Sequence, residues 1–294
     1  MKPTPRIVQF GLYPTLLAGV LAAWLASREW GWNLSTVFAW MAGLRLAALF
    51  FAEWRWPARQ SWRMNWASFR RDLKYVLVNG SAAGLFKWAS LWWAVDAAGG
   101  RQGGIQGWPL AVQVVVLILA FEFPQYWFHR LSHEGRGAIG AWLWRMHVAH
   151  HLPDRVYLLM HVVGHPINLL ISLAIIQLPA WCFGASQEAV FLFGALMSLQ
   201  GLVSHFNVDL KAGLFNYLLV GAELHRFHHS AAMDEAKNFG VLTPFWDLVF
   251  GTFRYDPRRL PAALGVEHPE DYPASPDILG VLALPLRGSV PSGG

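Results

Sequence analysis

"WRMHVAHHLPDR", residues 144–155, places His147, His150 and His151 within five positions. Side chains three and four residues apart share one helix face, so this stretch reads as a helix that aims imidazoles at a common point. The spacing returns in "LHRFHHS", residues 224–230, with His225, His228 and His229. "FHRLSH" adds His129 and His133 as an i, i+4 pair. Of 12 histidines, all but His268 fall between residues 129 and 229. Eight convergent imidazoles exceed the three or four ligands of one catalytic zinc. Eight, with one or two more, suit two adjacent metals.

The chain around these clusters is built for lipid. It is 55% hydrophobic and 14% charged, and the apolar residues come in long runs rather than alternating patterns. A bilayer core takes roughly 20 apolar residues per helical span. Candidate spans are 7–27, about 34–52, 75–95 and 108–128, one within 156–183 and one within 188–204. With Lys2 and Arg6 placed in the cytoplasm, six crossings bring the basic segments 53–74 and 129–155 inside, while the outer loops carry little Lys or Arg. Tryptophans such as Trp30, Trp32, Trp54, Trp92 and Trp108 sit near span ends, where an aromatic belt belongs. Arg45, Lys87, His161, His165 and Pro166 interrupt spans, and two of the six could instead form a shallow hairpin, leaving four full spans.

The expected fold is therefore an all-α polytopic membrane bundle with a histidine-rich helical cap on the cytoplasmic side and both termini cytoplasmic. Three regions are expected: a transmembrane region 1–107, a catalytic region 108–255 and a Pro-rich C-terminal tail 256–294. The single cysteine, Cys182, allows neither an intrachain disulfide nor a thiolate metal site. The net charge of +5 fits basic loops facing anionic lipid rather than nucleic acid. The first apolar stretch lacks the cleavage site of a signal peptide.

The ordered set HxxxH, HxxHH and a later HxxHH in a membrane chain resembles the fatty acid hydroxylase/sterol desaturase superfamily of membrane di-iron oxygenases. "EFPQYWFHRLSH", "SHFNVD", "ELHRFHHS", "NFG" and "FWDLVFGTF" follow the family's order and spacing. The resemblance covers roughly residues 108–255. It implies that His129, His133, His147, His150, His151, His225, His228 and His229 are metal ligands, with His205 as a further one. His165 in "GHPIN" stands where the family has a His-Pro segment, but without the usual arginine and glutamate nearby; it is an expected tenth ligand. His161, one turn earlier, is expected behind the ligands or in the core.

Metal-bound histidines usually donate their second N–H to a carboxylate or carbonyl. Glu122, two turns before His129 on the same face, is the first candidate to hold one, with a structural ion pair as its alternative. Asn207, Asn238 and Asp247 are further candidates, with capping or turn roles as theirs. Arg130 and Arg226 each follow a ligand, facing either acidic groups or lipid headgroups.

Imidazole accepts zinc, copper, iron or nickel, so the ligands alone do not select the metal. The resemblance implies two iron ions, which zinc could replace, and O₂ as co-substrate. It also implies hydroxylation or desaturation of a lipid such as a fatty acyl chain or sterol, entering from the bilayer. No haem motif, ferredoxin cysteine set or dinucleotide fingerprint is present, so a separate cytoplasmic electron donor is expected. A zinc protease motif fails in "SHEGRG", where Gly137 replaces the second histidine. A metal transporter or metal-binding protein is the alternative; transporters place ligands near the bilayer midplane, whereas these histidines collect on one side.

Overall fold

The computed structural model describes residues 3–98 and 104–287, with no side-chain description for 91–98. The expected Gly-rich loop at 96–107 lies largely outside the described residues. Among the described residues there are ten α-helices and no β-strand. They are α1 (Arg6–Trp30), α2 (Leu34–Arg55), α3 (Trp66–Ala98), α4 (Leu110–Glu134), α5 (Gly137–His151), α6 (Pro166–Phe183), α7 (Gln187–Ser204), α8 (Ala222–His228), α9 (Phe245–Phe250) and α10 (Ile278–Leu282).

Five of them, α1, α2, α4, α6 and α7, are long and apolar enough to cross a membrane. The chain is a polytopic helical membrane protein. The expected third span is a helix, α3, but it is not among these five. It carries Arg70, Arg71, Asp72 and Lys74 in its first turns and Lys87 further on, which dilute its apolar length.

α7 packs against α1, α2 and α4, and α4 also packs against α5 and α6. Inside the bundle, Arg45 on α2 donates to Ala195 O at 3.2 Å and Ser198 Oγ at 2.8 Å, so this intramembrane cation joins α2 to α7 rather than meeting lipid. Tyr13 on α1 donates to Gln200 on α7 at 2.6 Å. Apolar burial supplies the rest, at about 25 cal/mol per Å². Leu49, Phe191, Leu199 and Val203 lie in one buried cluster.

α4 runs on past its apolar length through His129 and His133, and α5 then folds back on it. That hairpin needs glycine: a Cβ on Gly140 would lie 2.1 Å from Gly135 backbone atoms. The C-terminal region, read as a Pro-rich tail, is packed. Tyr272, Ile278, Val281 and Leu284 join Trp144, Val148 and Ala149 of α5 in one apolar cluster, and Trp144 donates to the Tyr272 hydroxyl at 2.9 Å. Arg71, Lys74 and Tyr75 of α3 hydrogen-bond residues 275–276, so the same segment is tied to α3.

Candidate metal centre

Nine of the ten histidines expected as ligands converge, and they divide into two groups. His129, His133, His147, His151 and His228 form the first; His150, His205, His225 and His229 form the second. Within each group one ring nitrogen per histidine lies within 4.8 Å of the others. The groups adjoin, with the His151 and His229 rings stacked at 4.5 Å between centroids.

The division follows helix geometry. In each HxxHH segment the i, i+4 pair points one way and the i+3 histidine the other. His147 and His151 join the first group while His150 joins the second; His225 and His229 join the second while His228 joins the first. One three-histidine segment therefore serves both groups.

The tautomers are set by hydrogen bonds. His129 Nδ1–H donates to Phe239 O at 2.8 Å, His228 Nδ1–H to Lys237 O at 3.1 Å and His147 Nδ1–H to Asn168 Oδ1 at 3.3 Å. Each Nε2 is then a bare lone pair. Yet the Nε2 of His129 lies 3.0 Å from that of His228 and 3.1 Å from that of His147. The second group repeats this. His150 Nδ1–H donates to Val163 O at 2.7 Å and His205 Nδ1–H to Gly201 O at 3.3 Å, while their Nε2 atoms are 2.9 Å apart.

Lone pairs at such distances repel unless a cation lies between them. Two metal–nitrogen bonds of about 2.1 Å at a right angle separate the nitrogens by about 3.0 Å. The buried His133 has both ring nitrogens without a hydrogen-bond partner. The donor set thus fits two cations, one per group.

Burial first, and then the neighbouring imidazoles, holds His147, His151, His225, His228 and His229 well below the ordinary histidine value. They are neutral at neutral pH, as metal ligation requires.

The supporting residues act differently from expectation. Glu122 does not touch a histidine. It accepts the backbone N–H groups of Val241 at 3.3 Å, Thr243 at 3.0 Å and Leu242. Asp247 accepts Phe239 and Gly240 N–H, each at 2.8 Å, and the Thr252 hydroxyl at 2.6 Å. Asn238 adopts a left-handed φ of 64°, which Asn tolerates better than most residues, and bonds Leu224 O and both backbone groups of Arg254. All three fix the segment 237–243, whose Lys237 and Phe239 carbonyls hold His228 and His129. The carboxylates orient ligands through backbone, one step further away than a direct contact.

Asn207 likewise meets no histidine; its amide bonds both backbone groups of Arg59. His161 Nδ1 lies 3.4 Å from His205 Nδ1, behind that ligand. His165 stands outside both groups. Its Nδ1 accepts Ile167 N–H at 3.1 Å, capping α6, and its Nε2 donates to Leu282 O at 3.3 Å. With both nitrogens so engaged, it caps α6 and lies apart from the nine convergent histidines. Arg226 is fully buried and donates to Phe206 and Val208 carbonyls, both at 2.7 Å, rather than facing headgroups. Arg130 pairs with Glu134 at 2.7 Å.

Three supports escaped the sequence. Glu53 on α2 accepts Leu158 and Asn207 N–H at 2.8 and 2.9 Å, bracing the turn after His205. Asn79 on α3 donates to Val162 O and Gly164 O, both at 3.0 Å, bracketing the Val163 carbonyl that holds His150. Asn168 holds His147. Glu53 was detectable by the same signal as Glu122, an ionisable group within an apolar helix.

A cavity of about 500 Å³ reaches the histidines. Its walls come from α3, α4, α6 and α7, and His129, His147, His150, His205 and His225 line it. Hollows of about 790 and 820 Å³ elsewhere hold no histidine.

Residues 114–252, which contain both groups, match the family model described as fatty acid hydroxylase. The matched region is similar to the fatty acid hydroxylase/sterol desaturase superfamily. It is 34% identical over 160 residues to the ornithine lipid hydroxylase OlsE of Rhizobium tropici, covering 54% of this chain and 47% of that one. Methylsterol monooxygenase 2-2 of Arabidopsis thaliana is 26% identical over 147 residues, covering 49% and 53%. Human alkylglycerol monooxygenase (Homo sapiens) is 27% identical over 162 residues, covering 51% and 32%. The chain spans about half the length of the first two relatives. No solved structure matches it.

Proposed function

We propose that this chain is a membrane-bound di-iron oxygenase that hydroxylates, or desaturates, a C–H bond of a lipid. The observation that carries this reading is the pair of adjoining histidine groups with facing lone pairs at the end of a cavity between apolar helices. His129, His133, His147, His151 and His228 would hold one iron, and His150, His205, His225 and His229 the other. Bound there, an iron pair would supply reductive activation of O₂. For hydroxylation the balance is R–H, O₂, two electrons and two protons giving R–OH and water.

The chain's own residues position and shield. The carbonyls of Phe239, Lys237 and Val163 fix ring orientation. The apolar walls grip a lipid at roughly 0.8 kcal/mol per buried CH₂. The catalytic region is residues 108–255, with 1–107 a membrane region and 256–294 a C-terminal region whose described residues pack behind α5. The histidine cap faces the cytoplasm, where a separate electron donor docks.

The test is metal and redox stoichiometry on protein purified without oxygen. The expected result is about two irons per chain, lost in part on His150→Ala or His228→Ala, with O₂ consumed when reductant is added. One metal per chain, or two zincs that iron cannot replace and no O₂ consumption, overturns the reading and favours metal binding or transport. Ornithine lipid is the first substrate to supply, given the name of the Rhizobium relative.

A further inference from the structure

α6 and α7 are consecutive helices joined by residues 184–186, yet each packs on α4 and they have little backbone contact with each other. Two hollows border both helices. The inner one, of about 500 Å³, reaches the histidines, and the outer one, of about 820 Å³, lies farther along the same helices. They follow the same helix faces. On α6, Leu169, Leu173 and Ile176 border the inner hollow, and Ile176 again and Ala180 the outer. On α7, Ser204, Gly201 and Met197 border the inner, and Gly194 and Val190 the outer. Steps of three and four residues keep to one face throughout. α3 does the same, with Gly80 at the inner hollow and Lys87, two turns on, at the outer. From Ser204 to Val190 the shared face of α7 is about 21 Å long.

The divide between them is hydrocarbon. Ile176 borders both hollows. With Met197 it packs on the apolar cluster of Phe121 and Phe193, whose rings lie 5.8 Å apart, edge to face. Phe121 borders the inner hollow and Phe193 the outer. Side chains of this kind change rotamer without breaking a hydrogen bond, so the divide can part. Beyond it Leu34 and Phe38 continue the apolar wall, and polar groups return at Asn33, Ser35 and Gln187. Gly194 leaves room there: a Cβ at this position would meet only the Phe38 ring, at 3.7 Å.

Resting on the oxygenase reading, we propose that the two hollows hold one substrate chain, threaded past Ile176. The carbon to be oxidised lies at the histidines, and a distant part of the same chain lies in the outer hollow. This selects a lipid with a long, unbranched acyl or alkyl chain. A flexible chain passes between Ile176 and Met197, whereas a rigid fused-ring body is stopped at the divide. Ile176 and Gly194 then set how long a chain is accepted.

The test is photolabelling of the purified, zinc-loaded chain in lipid nanodiscs, where turnover plays no part. The probe is octadecan-1-ol carrying a diazirine beside either its hydroxyl or its methyl end, and labelled peptides are read by mass spectrometry. One end is expected to label residues of the inner hollow and the other residues 187–194 or 33–38, both suppressed by excess octadecan-1-ol. Gly194→Leu fills the outer hollow from α7 and Ile176→Trp blocks the divide from α6. Each should cut the outer labelling at least about tenfold with two zincs still bound. The blocks come from different helices, so either variant decides if the other misfolds. Labelling confined to the inner hollow, outer labelling that excess alcohol does not suppress, or outer labelling unchanged in the variants overturns the inference. Failure of the iron-loaded chain to consume O₂ would instead sink the oxygenase reading and leave this labelling pattern standing.

Discussion

The first histidine group is braced from the C-terminal side of the chain, and the second largely from the N-terminal side. In the first, Asp247, Asn238 and Glu122 hold the 237–243 segment whose carbonyls orient His129 and His228. In the second, Glu53 on α2 and Asn79 on α3 hold the turns flanking His205 and His150. Adjoining sites thus rest on separate scaffolds, so each can be loosened without the other. In both, a backbone carbonyl touches the imidazole and these acids and amides act at one remove, while Asn168 meets His147 directly.

Removing a ligand breaks the comparison most sharply. His228→Ala is expected to cost the first-group metal and His225→Ala the second, each leaving about one metal per chain and lowering O₂ consumption at least about a hundredfold. Metal analysis beside oxygen electrode traces reads this; either variant keeping both metals would defeat the assignment.

Acid acts on both groups at once in the metal-free protein. His161, its ring deep against His205, is pulled from 6.5 to about 4 by burial, then by His150. The ligand histidines of α5 and α8 shift the same way. Between pH 6.5 and 4 the unfolded chain therefore takes up protons that the folded chain refuses. Their stabilising contribution is full above pH 6.5 and is lost as pH falls toward 4. Thermal unfolding of metal-free protein across that window should show a falling Tm; a flat profile would contradict it.

Asp247→Ala strips acceptors from two buried N–H groups and should lower stability by about 2–4 kcal/mol. It should weaken the first metal and spare the second, as metal titration with thermal unfolding can read. Glu53→Gln should do the reverse, weakening the second metal about 10–100-fold while the first holds. Equal losses in both groups from either variant would mean that the scaffolds are not separate. The smallest effect is expected at His165→Ala, about 1 kcal/mol from a lost helix cap with two metals retained. Loss of a metal there would return His165 to the ligand set.

The histidine clusters were legible because i, i+3 and i+4 spacing is a local property, and so were the long apolar helices. The division into five and four was not, because it depends on how α4, α5 and α8 cross. His165 looked like a ligand by position, but its backbone places it as a cap on Ile167. Glu122 was expected to hold a ligand histidine, while its partners lie about 120 residues away on backbone that carries no side-chain signature. Nothing in the sequence marks Asn79, since only the folded chain brings it to Val162 and Gly164.

The facing lone pairs bear on the protein's lifetime in a cell. A chain awaiting its metals packs these imidazoles together with no cation to reconcile their lone pairs. Such a chain opens more readily, and proteases and chaperones sample the open form. Metal starvation would therefore be felt as disappearance of the polypeptide itself, making its abundance a record of the metal supplied while it was being assembled.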